Sequence, residues 1–284
     1  MATPYERIAQ ARSRLAAAGI PPQDASFDAE VLARHALGWD RAHLLAHGRD
    51  LAPEGFAERY DALIARRVNR EPVAQILGTR EFWGLDFEVT PDVLVPRPET
   101  ELIVEEALAF ARAQTCRSVI DIGTGSGCIA ISIARELPDV RIVAVDASGA
   151  ALAVARRNAE RLAVADRITF KHSDLFEQVA VTADLIVSNP PYMAKADEHA
   201  LQPEVVQFEP HAALFGGDDG LSVVRRLFAD AHAHLAPDGR LIMEFGFGQE
   251  ADIHAVAEDA GWEIVRTRAD LQGIPRTIVL RSHV

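Results

Sequence analysis

An α/β architecture, with a doubly wound parallel sheet behind a small N-terminal helical bundle, follows from three features of the 284-residue sequence. Apolar residues recur at helical spacing over residues 5–70. Strand and helix patterns then alternate to the end of the chain, and a glycine-rich turn joins the first of those strands to its helix. Within the first stretch, Ile8 and Leu15, Val31, Leu32 and Leu37, Leu44 and Leu45, and Tyr60, Leu63 and Ile64 mark roughly four short helices. Gly19-Ile-Pro-Pro, Gly38-Trp and Leu51-Ala-Pro break them. Phe82-Trp-Gly-Leu-Asp-Phe-Glu-Val alternates around Gly84 and predicts a short β-hairpin, with Phe82 and Trp83 in its core. Pro91, Pro96 and Pro98 follow. The expected division is therefore a helical domain over 1–75, a hairpin linker over 76–96 and an α/β domain over 97–284.

In the α/β domain the predicted strands are Ser118–Ile122, Arg141–Val145, Ile168–His172, Leu185–Ser188, Arg240–Phe245, Glu263–Thr267 and Thr277–Leu280. The predicted helices are Glu99–Arg112, Cys128–Glu136, Gly149–Arg161, Leu221–Leu235 and Ala251–Ala260. Alternating βα units imply parallel pairing. Only Arg268–Arg276 joins the last two strands, and a parallel crossover needs ~10–12 residues or more. Those two strands should form an antiparallel hairpin.

Composition narrows the class. A hydrophobic share of 49% and a charged share of 25% are those of a globular protein, not a disordered one. The longest uncharged run, Ile122–Ala134, has thirteen residues and falls short of the ~18 that span a bilayer. The first residues lack the basic-then-apolar layout of a signal peptide, so a cytoplasmic protein without membrane association is expected. The net charge is −13. Ten arginines and ten acids balance within residues 1–75, so the whole excess lies beyond them, and only Lys171 and Lys195 are lysines. Phosphate neutralisation drives non-specific nucleic-acid binding, and an acidic body is poorly suited to it. Cys116 and Cys128 form neither a CxxC pair nor a disulfide framework and read as free buried thiols. His43 and His47 lack a further acidic or cysteine partner, and Asp218-Asp219-Gly220 reads as a turn and helix cap, so no metal site is expected.

The first α/β strand runs into Asp121-Ile-Gly-Thr-Gly-Ser-Gly-Cys and then a helix. Gly123, Thr124, Gly125, Ser126 and Gly127 would bring backbone N–H groups close to a ligand at the carboxyl edge of the sheet. Asp146 ends the next strand, where it can accept hydrogen bonds from ribose hydroxyls. A dinucleotide fingerprint would place Gly or Ala where Cys128 stands. The G-x-G-x-G spacing after an acid instead resembles the first motif of S-adenosylmethionine (SAM) methyltransferases. That resemblance implies a cofactor role for Asp174 and Leu175 too, with the acid facing the adenine amino group and the apolar neighbour against the ring.

Ser188-Asn189-Pro190-Pro191-Tyr192 follows the fourth strand of this domain. Two consecutive prolines supply carbonyls but no N–H groups. Asn189 Oδ1 and the Pro190 carbonyl can take both hydrogens of a planar –NH2 group while Tyr192 covers its face. Together with Glu71-Pro-Val-Ala-Gln-Ile-Leu-Gly, Glu81-Phe-Trp-Gly-Leu-Asp-Phe, Val95-Pro-Arg-Pro-Glu-Thr-Glu and Phe208-Glu-Pro-His-Ala-Ala-Leu-Phe-Gly-Gly-Asp-Asp-Gly-Leu, the sequence resembles the release factor glutamine N5-methyltransferases, the HemK/PrmC family, over essentially its whole length. The resemblance implies a seven-stranded Rossmann-like methyltransferase domain with that family's strand order. It implies SAM as methyl donor and, as partner, the Gly-Gly-Gln loop of class I peptide-chain release factors. Asn189, Pro190, Pro191 and Tyr192 would carry the reaction, with Asn189 also touching SAM. Leu175 stands where some members carry Trp. An amino-directed nucleic-acid methyltransferase shares the Asn-Pro-Pro-Tyr element and is the alternative; the charge distribution disfavours it.

Overall fold

The computed structural model describes residues 2–282 and divides into two compact units. The first comprises the residues up to Gly78 together with Gln202–Phe208. Its helices are α1 (Pro4–Ala17), α2 (Pro22–Leu37), α3 (Arg41–His47), α4 (Phe56–Val68) and α5 (Val73–Leu77). Thr3 opens α1 with a capping box, in which its hydroxyl accepts from Glu6 N while the Glu6 carboxylate accepts from Thr3 N. Gly38, in the left-handed region at φ 67°, closes α2. Leu15, Leu32, Phe56, Tyr60 and Ile64 form the core of this unit, and the buried Tyr60 hydroxyl donates to Ala29 O at 2.8 Å.

Gln202–Phe208 comes from far along the chain, and an ion-pair network fixes it to this first unit. Arg67, almost wholly buried, reaches Asp28 at 2.7 Å and Glu204 at 2.9 Å, and Arg70 reaches Glu204 at 2.5 Å. Gln75 Nε2 donates to Phe208 O at 2.9 Å. No local sequence pattern signals this attachment, because it depends on side chains more than 130 positions apart.

The second unit holds the hairpin β1 (Thr79–Phe82) and β2 (Leu85–Glu88), which turns through Trp83 (φ 54°) and Gly84 (φ 68°). The hairpin expected as a linker thus clusters with the α/β unit, into whose core Phe82 and Phe87 pack. There follow α6 (Glu101–Ala113), β3 (Ser118–Ile122), α7 (Cys128–Glu136), β4 (Arg141–Asp146), α8 (Gly149–Arg161), β5 (Ile168–His172) and β6 (Ala183–Ser188). After α9 (Pro203–Phe208), already assigned to the first unit, come α10 (His211–Leu214), α11 (Ser222–Ala231), β7 (Leu235–Glu244), α12 (Glu250–Asp259), β8 (Trp262–Ala269) and β9 (Pro275–Ser282). The seven-stranded sheet has the order β5-β4-β3-β6-β7-β9-β8. The first five of these are mutually parallel, and β9 runs antiparallel to both β7 and β8. The terminal hairpin is therefore present as the short connection required.

Alternate strand residues feed two cores, as the period of two demands. Val119, Leu185, Val187 and Ile242 face the layer of α6, α7 and α8, while Ile120, Ile186, Leu241 and Met243 face Val224, Leu227 and Phe228 of α11 and Ile253 of α12. The largest departure from expectation lies before β7. The helix before β7 ends at Ala231 rather than Leu235, and β7 begins at Leu235, across Pro237 and Gly239. Its first residue pairs with Ala183 and the register then shifts before Leu185, so an irregular strand start accommodates residues that ordinarily break strands.

Breaking the buried network from one side should be costly. Arg67→Met leaves the buried Asp28 carboxylate without its cation and Glu204 with Arg70 alone, and should lower stability by roughly 3–5 kcal/mol, read as a reduced midpoint in urea melts of the full chain.

Candidate active site

Because β3 to β7 are parallel, their carboxyl ends share one edge of the sheet, which is where open α/β sheets place ligands. A cavity of about 300 Å³ opens there, the size of a small-molecule site. Gly123, Thr124, Gly125, Ser126, Asp146, Asp174, Leu175, Asn189, Pro190 and Pro191 all line it. Two expected residues do not. Gly127 caps α7 at φ 83°, where a Cβ would come within 2.9 Å of Ile131 Cδ1 and 3.2 Å of Ala155 Cβ, so this glycine serves helix packing. The Tyr192 ring turns away to lie against Gly246, and its hydroxyl donates to Glu244 Oε1 at 3.3 Å.

The glycine loop and Asp146 shape one another. Asp146 Oδ2 accepts from Gly125 N and Oδ1 from Ser148 N, both at 2.8 Å. Each carboxylate oxygen has one N–H partner and so keeps acceptor capacity, and Asp146 lines the cavity, which suits a pair of vicinal hydroxyls. Burial, opposed by those two N–H bonds, raises the Asp146 carboxyl above the ordinary range. Gly123 (φ 72°) and Gly125 (φ 55°) hold the loop in the left-handed region, and open space lies where a Cβ of Gly123 would stand. Beneath the loop, wholly buried Asp121 accepts from Thr124 Oγ1 at 2.6 Å, and burial pushes its carboxyl up to about 7.

After β5, Ser173 organises the next wall. Its hydroxyl donates to Leu175 O at 2.9 Å and accepts from Gln178 N at 3.0 Å, holding Leu175 at φ 47°, an uncommon conformation for a branched residue. Leu175 is buried and presents an apolar surface to the cavity. The half-exposed Asp174 uses Oδ2 to pair with Arg226 at 2.8 Å.

The turn after β6 is built by more residues than the sequence motif names. Asn189 Nδ2 donates to Thr100 Oγ1 at 3.1 Å, and Thr100 Oγ1 donates to Glu244 Oε2 at 2.6 Å. Glu244 ends β7 almost wholly buried, and burial pushes its carboxyl up to about 7. The backbone beyond Asn189 is clamped by Leu214–Leu221, through Met193 N to Leu214 O and Gly216 N to Met193 O, both at 2.9 Å. A Cβ on Gly216 would stand 2.4 Å from Pro191 O, and one on Gly220 would stand 2.3 Å from Tyr192 O. Only glycines permit this approach. Arg97, a cation on the cavity wall, pairs with buried Glu209 at 2.5 Å. Thr100, Glu244, Gly216 and Gly220 escaped assignment from sequence. A lone acid ending the apolar run Leu241-Ile-Met was the available signal for Glu244.

Among the described residues no group of three or more His, Cys, Asp or Glu could hold a metal, and no helix is long and apolar enough to cross a membrane. Cys116 and Cys128 are free.

This sheet order, with a glycine loop and an acid at the carboxyl edge, is that of a Rossmann-like methyltransferase fold. Solved structures share the fold. The hMettl16 catalytic domain aligns with a TM-score of 0.59 at 18% identity, covering 78% of this chain and 82% of its own. A methyltransferase from Pyrococcus furiosus aligns with a TM-score of 0.51 at 19% identity, covering 76% and 95%. The family model described as PrmC N-terminal domain matches residues 6–78, and that described as Methyltransferase small domain matches residues 100–211. A release factor glutamine methyltransferase from Burkholderia pseudomallei is 45% identical over 90% of this chain and 91% of its own length. One from Cereibacter sphaeroides is 46% identical over 94% of each. The chain belongs to the release factor glutamine methyltransferase family.

Two outcomes follow from this geometry. An acid whose folded pKa is raised contributes most to stability at low pH, and that contribution is lost as pH rises from its ordinary value of 4.5 through about 7. The stability of Glu244→Gln relative to the wild type should therefore grow by about 3 kcal/mol between pH 4 and pH 8.5 in denaturant melts. Gly220→Ala should force the Tyr192 carbonyl aside and reduce methyl transfer at least ~10-fold, measured in single turnover.

Proposed function

We propose that the protein transfers a methyl group from SAM to the side-chain amide nitrogen (N5) of the glutamine in the Gly-Gly-Gln motif of class I peptide-chain release factors. The reading is carried by Asn189, Pro190 and Pro191 lining the cavity while Thr100 engages Asn189 Nδ2, which leaves Oδ1 as the carboxamide atom free to accept, beside a proline pair that has no N–H groups to compete. Bound SAM supplies an electrophilic methyl on a sulfonium centre. The glycine loop and the Asp146 oxygens suit its ribose, and Leu175 suits the face of its adenine. The oxygen of Asp174 that Arg226 leaves free suits the adenine amino group.

An amide nitrogen is a weak nucleophile because its lone pair is delocalised into the carbonyl. Asn189 Oδ1 and Pro190 O accept its two N–H hydrogens, orient the nitrogen and stabilise the positive charge that develops on it. Pro191 locks the backbone, and Tyr192 supports this turn through Glu244 rather than by covering the amide. The proton leaves to water after transfer, so no dedicated base is needed. The helical unit carries the balanced charge and the exposed apolar side chains Phe27, Leu45 and Leu51, and we assign it the docking of the release factor.

Labelled SAM offered to release factor, tRNA and DNA should mark the release factor alone, on the glutamine side chain; label on nucleic acid alone would make this an amino-directed nucleic-acid methyltransferase. Asn189→Ala should slow single-turnover transfer by roughly 10²–10³-fold at saturating SAM, and a near-normal rate would remove Asn189 from the chemistry. Replacing Phe27, Leu45 and Leu51 together by alanine should lower kcat/KM for whole release factor and leave a short Gly-Gly-Gln peptide unaffected. Equal effects on both would refute docking through that unit.

A further inference from the structure

Resting on that reading of Asn189, we propose that Thr100 and Glu244 are positioning residues, a hydrogen-bond relay that fixes which end of the Asn189 carboxamide faces the reacting nitrogen. A primary carboxamide is nearly symmetric in shape and can present either an acceptor or a donor after a half-turn about its last bond. Only one presentation is useful here. With Oδ1 toward the substrate it accepts an amide hydrogen; with Nδ2 there, two donors would face each other.

Hydroxyl arithmetic decides between them. Thr100 Oγ1 has a single hydrogen, and at 2.6 Å from Glu244 Oε2 that hydrogen is committed to the carboxylate. Thr100 can then only accept from Asn189, and the group 3.1 Å away is Nδ2. Glu244 cannot exchange partners freely, because it is buried and its other oxygen accepts from the Tyr192 hydroxyl at 3.3 Å. The sense of each bond is thus set from the carboxylate outward, through Thr100 to Asn189. Thr100 sits on the short turn Pro98–Thr100 preceding α6, within the Pro-Arg-Pro-Glu-Thr-Glu segment, and Glu244 ends β7, so the relay bridges elements remote in sequence.

The relay also has a defined failure. A proton added to Glu244 Oε2 would be donated to Thr100, whose own hydrogen would swing toward Asn189 and favour the reversed carboxamide. The charged and titratable groups facing Glu244 are Glu99 beside Thr100, Arg276 on β9, Tyr192 beyond β6 and Cys128 on α7. Burial, with Glu99 adding to it, favours the neutral form, while the hydrogen bonds from Thr100 and Tyr192 and the charge of Arg276 favour the carboxylate. Arg276 is itself paired with Asp270 at 3.2 Å.

The test uses full-length protein, a Gly-Gly-Gln peptide and labelled SAM, with SAM affinity measured separately by calorimetry. Thr100→Val should lower the single-turnover rate by about 10²-fold and leave the SAM Kd within ~3-fold, whereas Thr100→Ser, which keeps the hydroxyl, should stay within ~3-fold of wild type. Added to Asn189→Ala, Thr100→Val should cost nothing further, because the two act as a unit. The wild-type rate should fall on a one-proton limb below about pH 7. Glu244→Gln, which has no such proton, should lose that limb whatever its plateau rate. An unchanged rate in Thr100→Val, a large change in its SAM affinity, an additive loss with Asn189→Ala, or an acid limb persisting in Glu244→Gln would each overturn the relay. If Asn189→Ala alone is as fast as wild type, the reading of Asn189 fails instead, and the two failures are told apart.

Discussion

A threonine hydroxyl has one hydrogen, and at Thr100 it is spent on the buried carboxylate of Glu244, so the oxygen that remains can only receive. The arrangement of the rest of the catalytic edge is built around that constraint. It needs β7 to end in an acid shielded from water, the turn before α6 to reach across the sheet edge, and β6 to deliver Asn189 at the right depth. It also needs the backbone after Asn189 to stay where the two prolines leave it. The glycine-bearing clamp of Leu214–Leu221 provides this, with Gly216 and Gly220 passing closer to Pro191 and Tyr192 than any side chain allows.

The same logic of committed hydrogen bonds organises the cofactor side. Asp146 holds the glycine loop through Gly125 N and Ser148 N and yet keeps acceptor capacity toward the cavity. A carboxylate that shapes the loop and offers itself to a ligand links loop geometry to binding. Burial destabilises its charge, and the two backbone donors offset that cost. Asp121 beneath the loop is more isolated, with Thr124 as its hydroxyl partner, and burial lifts it further.

Much of this was legible in the sequence, for local reasons. Strand and helix periods alternate over most of the chain from Ser118 onward, and the nine residues Arg268–Arg276 are too few for a parallel return, which fixes the antiparallel end of the sheet. The glycine loop, Asp146 and Asn189-Pro-Pro are contiguous or follow strands directly, so topology alone gathers them at one edge. What was not legible depends on contacts across the fold. Gln202–Phe208 leaves the α/β unit to join the helical one through Arg67 and Arg70. The start of β7 runs through Pro237 and Gly239, which local rules assign to a turn. Tyr192 reads as a ring over the substrate, but its hydroxyl is drawn to Glu244, a partner 52 residues away. Gly127 looks like one more ligand glycine, and only the packing of α7 on α8 reveals its other use.

In the proposed reaction the substrate nitrogen is held by acceptors alone, Asn189 Oδ1 and the Pro190 carbonyl. A crystal structure of the protein with S-adenosylhomocysteine and a Gly-Gly-Gln peptide measures this directly. The glutamine side-chain nitrogen is expected within hydrogen-bonding distance, ~2.7–3.2 Å, of both oxygens, with Asn189 Nδ2 still on Thr100. A glutamine nitrogen bound away from both oxygens, or a carboxamide of Asn189 turned with Nδ2 toward the substrate, would contradict it.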